Sequence, residues 1–268
     1  MLQSFILAVP LFLLLAAGIV MIGADTSRRI REKLASCPIG FAFLSSLVTL
    51  YMVTHEGPSA IRFYDLSSVT SMIIPLGLYV DRLSAVMMTL ITAVSLIIYV
   101  YSTTYMYQDG HARRYLALIC LTDFVLICMV SSSNLMMLFL FWQLLSYLLY
   151  LLAHNHVHVG TLAGAFKTFT ILRIADTAFL AGIVLAFQLY GTLEFHELFA
   201  RAAATPMTLS LMPGVDVNGT TAITFLIFIG AMGKSAQFPL HLWLPGSLFA
   251  PTPVHALLHA GIINAGGF

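Results

Sequence analysis

Charged residues are scarce in this sequence. Of its 268 residues, 9% are Asp, Glu, Lys or Arg, whereas 60% belong to the hydrophobic types. Soluble domains carry about 25% charged and about 45–50% apolar residues. Because so few charges cannot cover a surface that faces water, the composition excludes a soluble enzyme and a disordered segment, and it predicts a protein of the lipid bilayer. The formal net charge of +1 provides no basic surface for DNA or RNA, so no nucleic-acid partner is expected.

Cysteine and the common motifs of catalysis and cofactor binding are also scarce. The three cysteines, which lie in or beside apolar runs and form no C-x-x-C pair, are Cys37, Cys120 and Cys128. They indicate neither a disulfide framework nor a zinc knuckle, and no G-x-G-x-x-G, P-loop or nucleophile elbow occurs. No local acid or cysteine completes a metal site beside His154, His156 and His158, which favours a plain loop there. We therefore expect no metal, no cofactor and no catalysis in this chain.

Long uncharged runs dominate what remains. A helix needs about 20 apolar residues to cross the hydrocarbon core, and runs near that length occupy 1–24, 34–54, 83–107, 115–130, 135–153, 168–190 and 220–238, with an eighth starting at 251. They predict an all-α polytopic membrane protein with about seven or eight transmembrane helices. Residues 191–219 hold Pro-Gly and Asn-Gly turns and predict a loop with at most a short amphipathic helix over 194–204.

The two ends and the loops of the chain predict its placement. The first run has no positively charged start, so we expect a retained helix and not a cleaved signal peptide. The last run is apolar and Gly-rich with no cap, which indicates part of a longer or split unit. Lys and Arg concentrate after the first, third and fifth runs. This pattern predicts cytoplasmic basic loops and a periplasmic N-terminus in a bacterial inner membrane.

Ionisable residues inside the predicted helices are candidates for an ion path. Each costs a few kcal/mol at membrane depth, so such residues usually face a bundle interior or a wet cavity. They are Asp123, Lys167, Arg173, Asp176, Lys234, His255 and His259. For Asp123 and Lys167 the alternative is snorkelling to the interface. For Arg173 and Asp176, which share a helical face, it is an ion pair that only fixes packing. The imidazole of His255 suits a relay, a ligand or a satisfied polar residue equally.

Lys234 is the strongest of these candidates. It ends the uncharged run 217–233 and precedes Pro239, which removes a backbone donor and should break the helix. A broken helix at membrane depth is tolerated only where it is buried or lines a cavity. We therefore predict that Lys234 exchanges a proton and that His259, which titrates near neutrality, is the next carrier.

A polar stripe lies on the fifth predicted helix. Gln143, Ser146, Tyr147 and Tyr150 recur at the spacing of one helical face. One interpretation is hydrogen bonding between helices. The other is that the stripe faces a water chain that leads to Lys234.

Several short motifs resemble those of a known family. They are Val-Asp-Arg-Leu-Ser at 80–84, Tyr-Ser and Tyr-Met within 101–106, Gly-Lys-Ser-Ala-Gln-Phe-Pro at 233–239, Trp-Leu at 243–244, Pro-Thr-Pro-Val at 251–254 and Ala-Leu-Leu-His-Ala at 256–260. Together they resemble the antiporter-like subunits of respiratory complex I and the large subunit of multisubunit cation/proton antiporters. The resemblance covers 78–268, and the first two helices match in hydropathy alone.

The resemblance implies an architecture of inverted helical repeats. Residues 1–110 would form three leading transmembrane helices with their loops. Residues 111–268 would form the first antiporter-like repeat, with a broken seventh helix and a truncated last one. The second repeat is missing, so the resemblance implies an incomplete antiporter-like fold.

The resemblance also implies roles for individual residues. Lys234 and His259 match the family's lysine and histidine on the seventh and eighth helices. Arg173 and Asp176 match an Arg-x-x-Asp pattern on the sixth helix. The family's fifth-helix glutamate is replaced here by Gln143, which carries no charge to hold a lysine charged. The usual glutamate–lysine scheme therefore cannot run unchanged, which favours a divergent branch of the family.

The end of the sequence, 259–268, is most similar to the membrane subunit of a bacterial inorganic-carbon accumulation complex. That likeness implies that proton or sodium flow through this chain drives hydration of CO2 to bicarbonate in a large cytoplasmic, zinc-containing, carbonic-anhydrase-like partner. A second membrane chain or copy would supply the missing repeat. The alternatives are a proton-translocating subunit of an NADH-quinone oxidoreductase or cation/proton antiporter, and a membrane anchor that conducts nothing.

Overall fold

The computed structural model describes residues 2–22, 28–67, 73–153, 160–204, 207–212, 215–245 and 251–259. The helices are α1 (Leu2–Ile22), α2 (Arg28–Glu56), α3 (Arg82–Tyr105), α4 (Ala112–Val130), α5 (Leu135–Ala153), α6 (Gly160–Tyr190), α7 (Phe195–Ala204), α8 (Gly219–Lys234) and α9 (Thr252–Leu257). A 3-10 helix covers Leu240–Trp243. The strands are β1 (Ser59–Ser67), β2 (Ile73–Val80), β3 (Thr208–Met212) and β4 (Val215–Asn218).

The helical membrane architecture confirms the predicted fold class. In α1, α2, α3, α5 and α6 the structure has five helices that are long and apolar enough to cross a membrane, and α8 is a shorter apolar helix. The helix α4 is as long as α5 but carries Arg113, Arg114 and Asp123. Two boundaries were wrong, because α2 and α6 begin six and eight residues before the predicted apolar runs at 34 and 168. The His154–His158 run and residues 260–268 lie outside the described residues.

The helix α4 lies at the centre of the bundle. It packs against α1, α3 and α5, and thirteen of its nineteen residues are buried. The helix α6 packs against both α5 and α8, whereas α9 lies against α3. Because α4 is enclosed on several sides, its buried polar residues Thr122 and Asp123 face other helices.

Two β-hairpins occur where the sequence predicted only loops. The strands β1 and β2 pair antiparallel, as do β3 and β4. The buried amide of Asn134 connects the first hairpin to the bundle, since its Nδ2 donates to the Pro75 carbonyl at 2.6 Å. Its Oδ1 accepts from the Met137 amide at 2.7 Å and so caps α5. The short helix predicted over 194–204 is confirmed as α7.

The charged contacts differ between the two ends of the bundle, and the end that holds Arg113 and Lys33 is the basic end. At one end, Arg113 at the start of α4 donates to the Met21 carbonyl near the end of α1, and Lys33 is exposed near the start of α2. At the other end, Arg62 of β1 pairs with Glu194 just before α7. The direction in which these ends face the membrane remains a prediction.

Close packing between α6 and α8 positions the end of α8. A Cβ built on Gly233 would lie 2.2 Å from the Cβ of Ala175, and one built on Gly230 would lie 2.6 Å from the Cβ of Phe179. Small residues let two membrane helices approach closely. These glycines therefore bring Lys234, the last residue of α8, against α6.

We expect Gly233→Ala to lower the free energy of unfolding by about 1–3 kcal/mol, because the added methyl group overlaps Ala175 and must push the helices apart. Thermal unfolding of the purified protein in detergent measures this loss. Gly18→Ala in α1 is the matched control, since no atom lies within 4 Å of its added Cβ. Equal unfolding temperatures for the two variants would contradict the close packing.

Candidate ion-translocation site

The break after α8 occurs at Lys234, four residues earlier than predicted. Ala236 has a φ of 50° and turns the chain, and the amide of Gln237 donates to the Met232 carbonyl at 3.0 Å. The carbonyl of Gly233 accepts from the Trp243 indole N–H at 2.8 Å. The carbonyls freed by the break therefore find donors within the protein, as an interrupted helix in a membrane requires.

Lys234 is fully buried, with no exposed side-chain surface. Its Nζ donates to the Trp142 carbonyl at 3.2 Å and to the Ser146 hydroxyl. The same Nζ lies 5.1 Å from the centre of the Trp142 ring, within the range of a cation–π contact. The ammonium is thus held by groups of one turn of α5 in the interior of the bundle.

A buried carboxylate balances this ammonium through a bridging hydroxyl. Asp176 of α6 is 2% exposed, and its Oδ1 accepts from the Trp142 indole N–H at 2.6 Å. Its Oδ2 lies 3.2 Å from the Ser146 hydroxyl. Because that hydroxyl accepts from Lys234, its own hydrogen is available to Asp176. The result is a hydrogen-bonded series from ammonium to hydroxyl to carboxylate.

Arg173 and Asp176 do not form the ion pair that was the alternative to a role in an ion path. Among the residues that the structure describes, no ion pair joins them. Arg173 instead donates to the side-chain oxygen of Gln143, and its guanidinium carbon lies 4.7 Å from the centre of the Phe169 ring. Asp176 is held by Trp142 and Ser146. Arg173 and Asp176 therefore contact different partners, although they share one face of α6.

The polar stripe of α5 divides between three environments. Ser146 is buried against Lys234, whereas Gln143 is half-buried beside Arg173. Tyr147 is 49% exposed and stacks on Tyr150 with 6.5 Å between ring centres. The interpretation as hydrogen bonds between helices fits Gln143 and Ser146, whereas Tyr147 points outward.

Trp142 is the functional residue that sequence reasoning missed. Its carbonyl and ring contact the ammonium, and its indole N–H holds the carboxylate. The sequence offered one signal for it. Trp142 is an aromatic residue with an N–H donor, and it directly precedes Gln143 of the polar stripe on α5. Trp142 also lines an apolar cavity of about 590 Å³, to which Phe179, Tyr190 and Ile227 contribute.

The remaining candidates lie apart from this cluster. Lys167 is exposed on α6, as an interfacial lysine would be. Asp123 is fully buried on α4. His255 is half-buried with an unpartnered, buried Nε2. His259 is exposed, and in the described part of the chain no hydrogen bond joins it to Lys234.

The geometry of the cluster predicts coupled stability effects. We expect Asp176→Asn and Lys234→Met each to lower the free energy of unfolding by a few kcal/mol, because each leaves one buried charge without compensation. The double variant removes both charges and should lose less than the sum of the two. Thermal unfolding in detergent of all four proteins measures the coupling.

Glu197→Gln with Arg201→Met is the matched control for this cycle. These two residues form an ion pair at 3.3 Å, but their side chains are about half exposed. Exposed pairs contribute about 0–1 kcal/mol, so little coupling is expected there. Additive losses at Asp176 and Lys234 would show that the two charges do not act on each other.

Comparison with known proteins agrees with this geometry. The family model described as "NADH:quinone oxidoreductase/Mrp antiporter, TM" matches residues 132–268, and that of the "NADH-Ubiquinone oxidoreductase (complex I), chain 5 N-terminus" matches residues 66–116. A solved structure of the membrane-bound sulfane sulfur reductase, an archaeal respiratory membrane complex, shares the fold with a TM-score of 0.77. It is 19% identical, and the match covers 98% of this chain and 51% of that one.

Curated relatives extend the match to the whole chain. The "Probable inorganic carbon transporter subunit DabB1" of Halothiobacillus neapolitanus is 38% identical over 97% of this chain and 45% of its own length. The NADH-quinone oxidoreductase subunit L of Neisseria meningitidis is also 38% identical, over 72% of this chain and 29% of its own length. The chain therefore spans less than half the length of these relatives. It belongs to the family of antiporter-like membrane subunits found in NADH:quinone oxidoreductases and Mrp antiporters.

Proposed function

We propose that this chain is the proton-conducting membrane subunit of an inorganic-carbon uptake complex. The observation that carries the proposal is the fully buried ammonium of Lys234, joined through Ser146 to Asp176 beside a helix break. Each buried charge costs free energy that apolar residues would not. A simple membrane anchor has no need of such a cluster.

In this proposal Lys234 is the proton carrier and Asp176 is its fixed counter-charge. The ammonium gives its proton to one side of the path and the amine regains one from the other side. Asp176 would favour the charged state, the role that the resemblance gives to a fifth-helix glutamate. Position 143 cannot supply that charge, because Gln143 is neutral and its oxygen serves Arg173.

We propose that the path continues from Lys234 to His259. An imidazole exchanges protons near neutral pH, and the exposed position of His259 suits a group that exchanges with solvent. His255, one helical turn earlier, is a second carrier or a positioning residue. A protonated amine carries H+ and offers no oxygen ligands to Na+, so we favour protons over sodium.

Two observations favour carbon uptake over respiration. The relative named as an inorganic carbon transporter subunit retains 38% identity over 97% of the chain, whereas the subunit L relative reaches that identity over 72%. Gln143 also departs from the glutamate of the respiratory pattern. In the proposal, zinc and CO2 hydration belong to a large cytoplasmic partner resembling carbonic anhydrase, which would dock at the basic end of a subunit in the bacterial inner membrane.

The second candidate function is proton translocation in an NADH-quinone oxidoreductase or a cation/proton antiporter. The subunit L relative favours it. In either function, another membrane chain or a second copy would complete the two-repeat architecture.

We expect Lys234→Ala to abolish uptake of labelled inorganic carbon by cells that express the full complex, because the path loses its proton carrier. Addition of a protonophore should stop uptake by the unaltered complex, whereas removal of sodium should not. Lys167→Ala, which removes an exposed lysine, is the matched control and should keep full uptake. Normal uptake by an assembled Lys234→Ala complex would refute the conducting role.

Purification in mild detergent distinguishes the two functions. Under the carbon-uptake proposal, we expect one large soluble-domain partner to copurify, with zinc detectable by elemental analysis. Copurification of flavin and iron–sulfur subunits would instead support the respiratory function. The Lys234→Ala protein should retain the same partner, which separates loss of conduction from loss of assembly.

A further inference from the structure

We infer that Asp123 is a second proton-binding site, separate from the Lys234 cluster and reached from a cavity at the basic end of the bundle. This inference does not rest on the proposed function. The charged groups acting on Lys234 are Asp176 and Arg173, whereas Asp123 lies on α4 beside Ser95 of α3.

The buried polar atoms at this position lack hydrogen-bond partners. Asp123 has no exposed side-chain surface, and neither of its carboxyl oxygens has a partner of normal geometry. The hydroxyl of Ser95 is also buried and unpartnered. The carboxyl oxygens of Asp123 and the hydroxyl of Ser95, all without partners, thus face each other across the α3–α4 interface. Such groups require a proton, a water or an ion to satisfy them.

Among the residues that the structure describes, no ion pair compensates an ionised Asp123. The helices packed against α4 are α1, α3 and α5, of which α1 has no ionisable side chain and α5 has only Tyr147 and Tyr150. On α3 the titratable group nearest to Ser95 in sequence is Tyr99, and Arg82 is the first residue of that helix. On α4 itself, Cys120 lies one turn before Asp123, and Arg113 and Arg114 lie in its first turn.

A proton fits these atoms better than a metal cation does. Hard cations take about six or more oxygen ligands, and the orphaned atoms here are two carboxyl oxygens and one hydroxyl. Within the described residues, no group of three His, Cys, Asp or Glu side chains comes together. A neutral carboxylic acid can donate to the Ser95 hydroxyl and leaves no unpaired charge in the bundle.

Three buried hydroxyls share the face of α3 that holds Ser95, where that of Tyr99 donates to the Glu32 carbonyl at 3.4 Å and that of Ser102 to the Ile98 carbonyl at 2.6 Å. Ser95, Tyr99 and Ser102 lie on one face of α3, and all three are fully buried. Tyr99 also forms the inner wall of a cavity of about 580 Å³ between α2 and α3, to which Lys33, Thr103 and Gln108 contribute. Lys33 and Gln108 are exposed, so the cavity opens to solvent at the basic end. Protons can therefore reach Asp123 without passing Lys234.

Infrared difference spectroscopy of the full complex in lipid tests this inference. At neutral pH we expect the carbonyl-stretch band of a protonated carboxylic acid, and we expect its loss in Asp123→Asn. Ser95→Ala should shift the band, because the hydrogen-bond acceptor of the acid is removed. Asp176→Asn is the matched control at the other buried carboxyl and should leave the band unchanged.

Exchange into D2O tests the route of access. The band of Asp123 should shift on exchange, and Thr103→Trp, which fills the cavity, should slow that shift. Thr170→Trp, at an exposed threonine of α6 outside the cavity, should not. If Asp123→Asn removes the band of an ionised carboxylate and not that of a protonated acid, the inference is overturned. So would a band that never exchanges, or one that disappears when sodium is added.

Discussion

The structure depends on how a single ammonium group is held inside an apolar bundle. Lys234 obtains a carbonyl oxygen, a hydroxyl and an aromatic face from one turn of α5, together with a carboxylate from α6 one hydrogen bond further away. Each of these groups offsets part of the lost hydration. Because Ser146 separates the two charges, they attract each other without forming a direct ion pair.

The surrounding architecture follows from that requirement. Gly230 and Gly233 let α8 approach α6 closely enough for its last residue to reach the cluster. The break after Lys234 frees backbone carbonyls, and Trp243 satisfies one of them. The buried charge, the close helix packing and the end of α8 therefore involve the same few residues. This explains why the clearest sequence motif lies at 233–239.

The resemblance implies a glutamate where this chain has Gln143, and tertiary contacts show what Gln143 does instead. Gln143 faces Arg173, so the arginine is engaged by a neutral amide, and Asp176 is left to balance Lys234 through Ser146. Trp142 joins the two charges by its carbonyl, ring and indole N–H. Asp123 lies elsewhere, beside Ser95 of α3, so these two buried acids occupy different environments.

The sequence by itself determined the membrane class, the helices and the place of Lys234 beside a helix break, because hydropathy and charge act locally along the chain. It also determined the short helix α7. It could not determine the partners of Asp176 and Arg173, since residues on one helical face can turn to different neighbours. Nor could it assign the hairpin β1–β2, whose register depends on contacts such as that of Asn134 with Pro75. Those choices belong to tertiary structure, because they depend on distances between helices that no local pattern encodes.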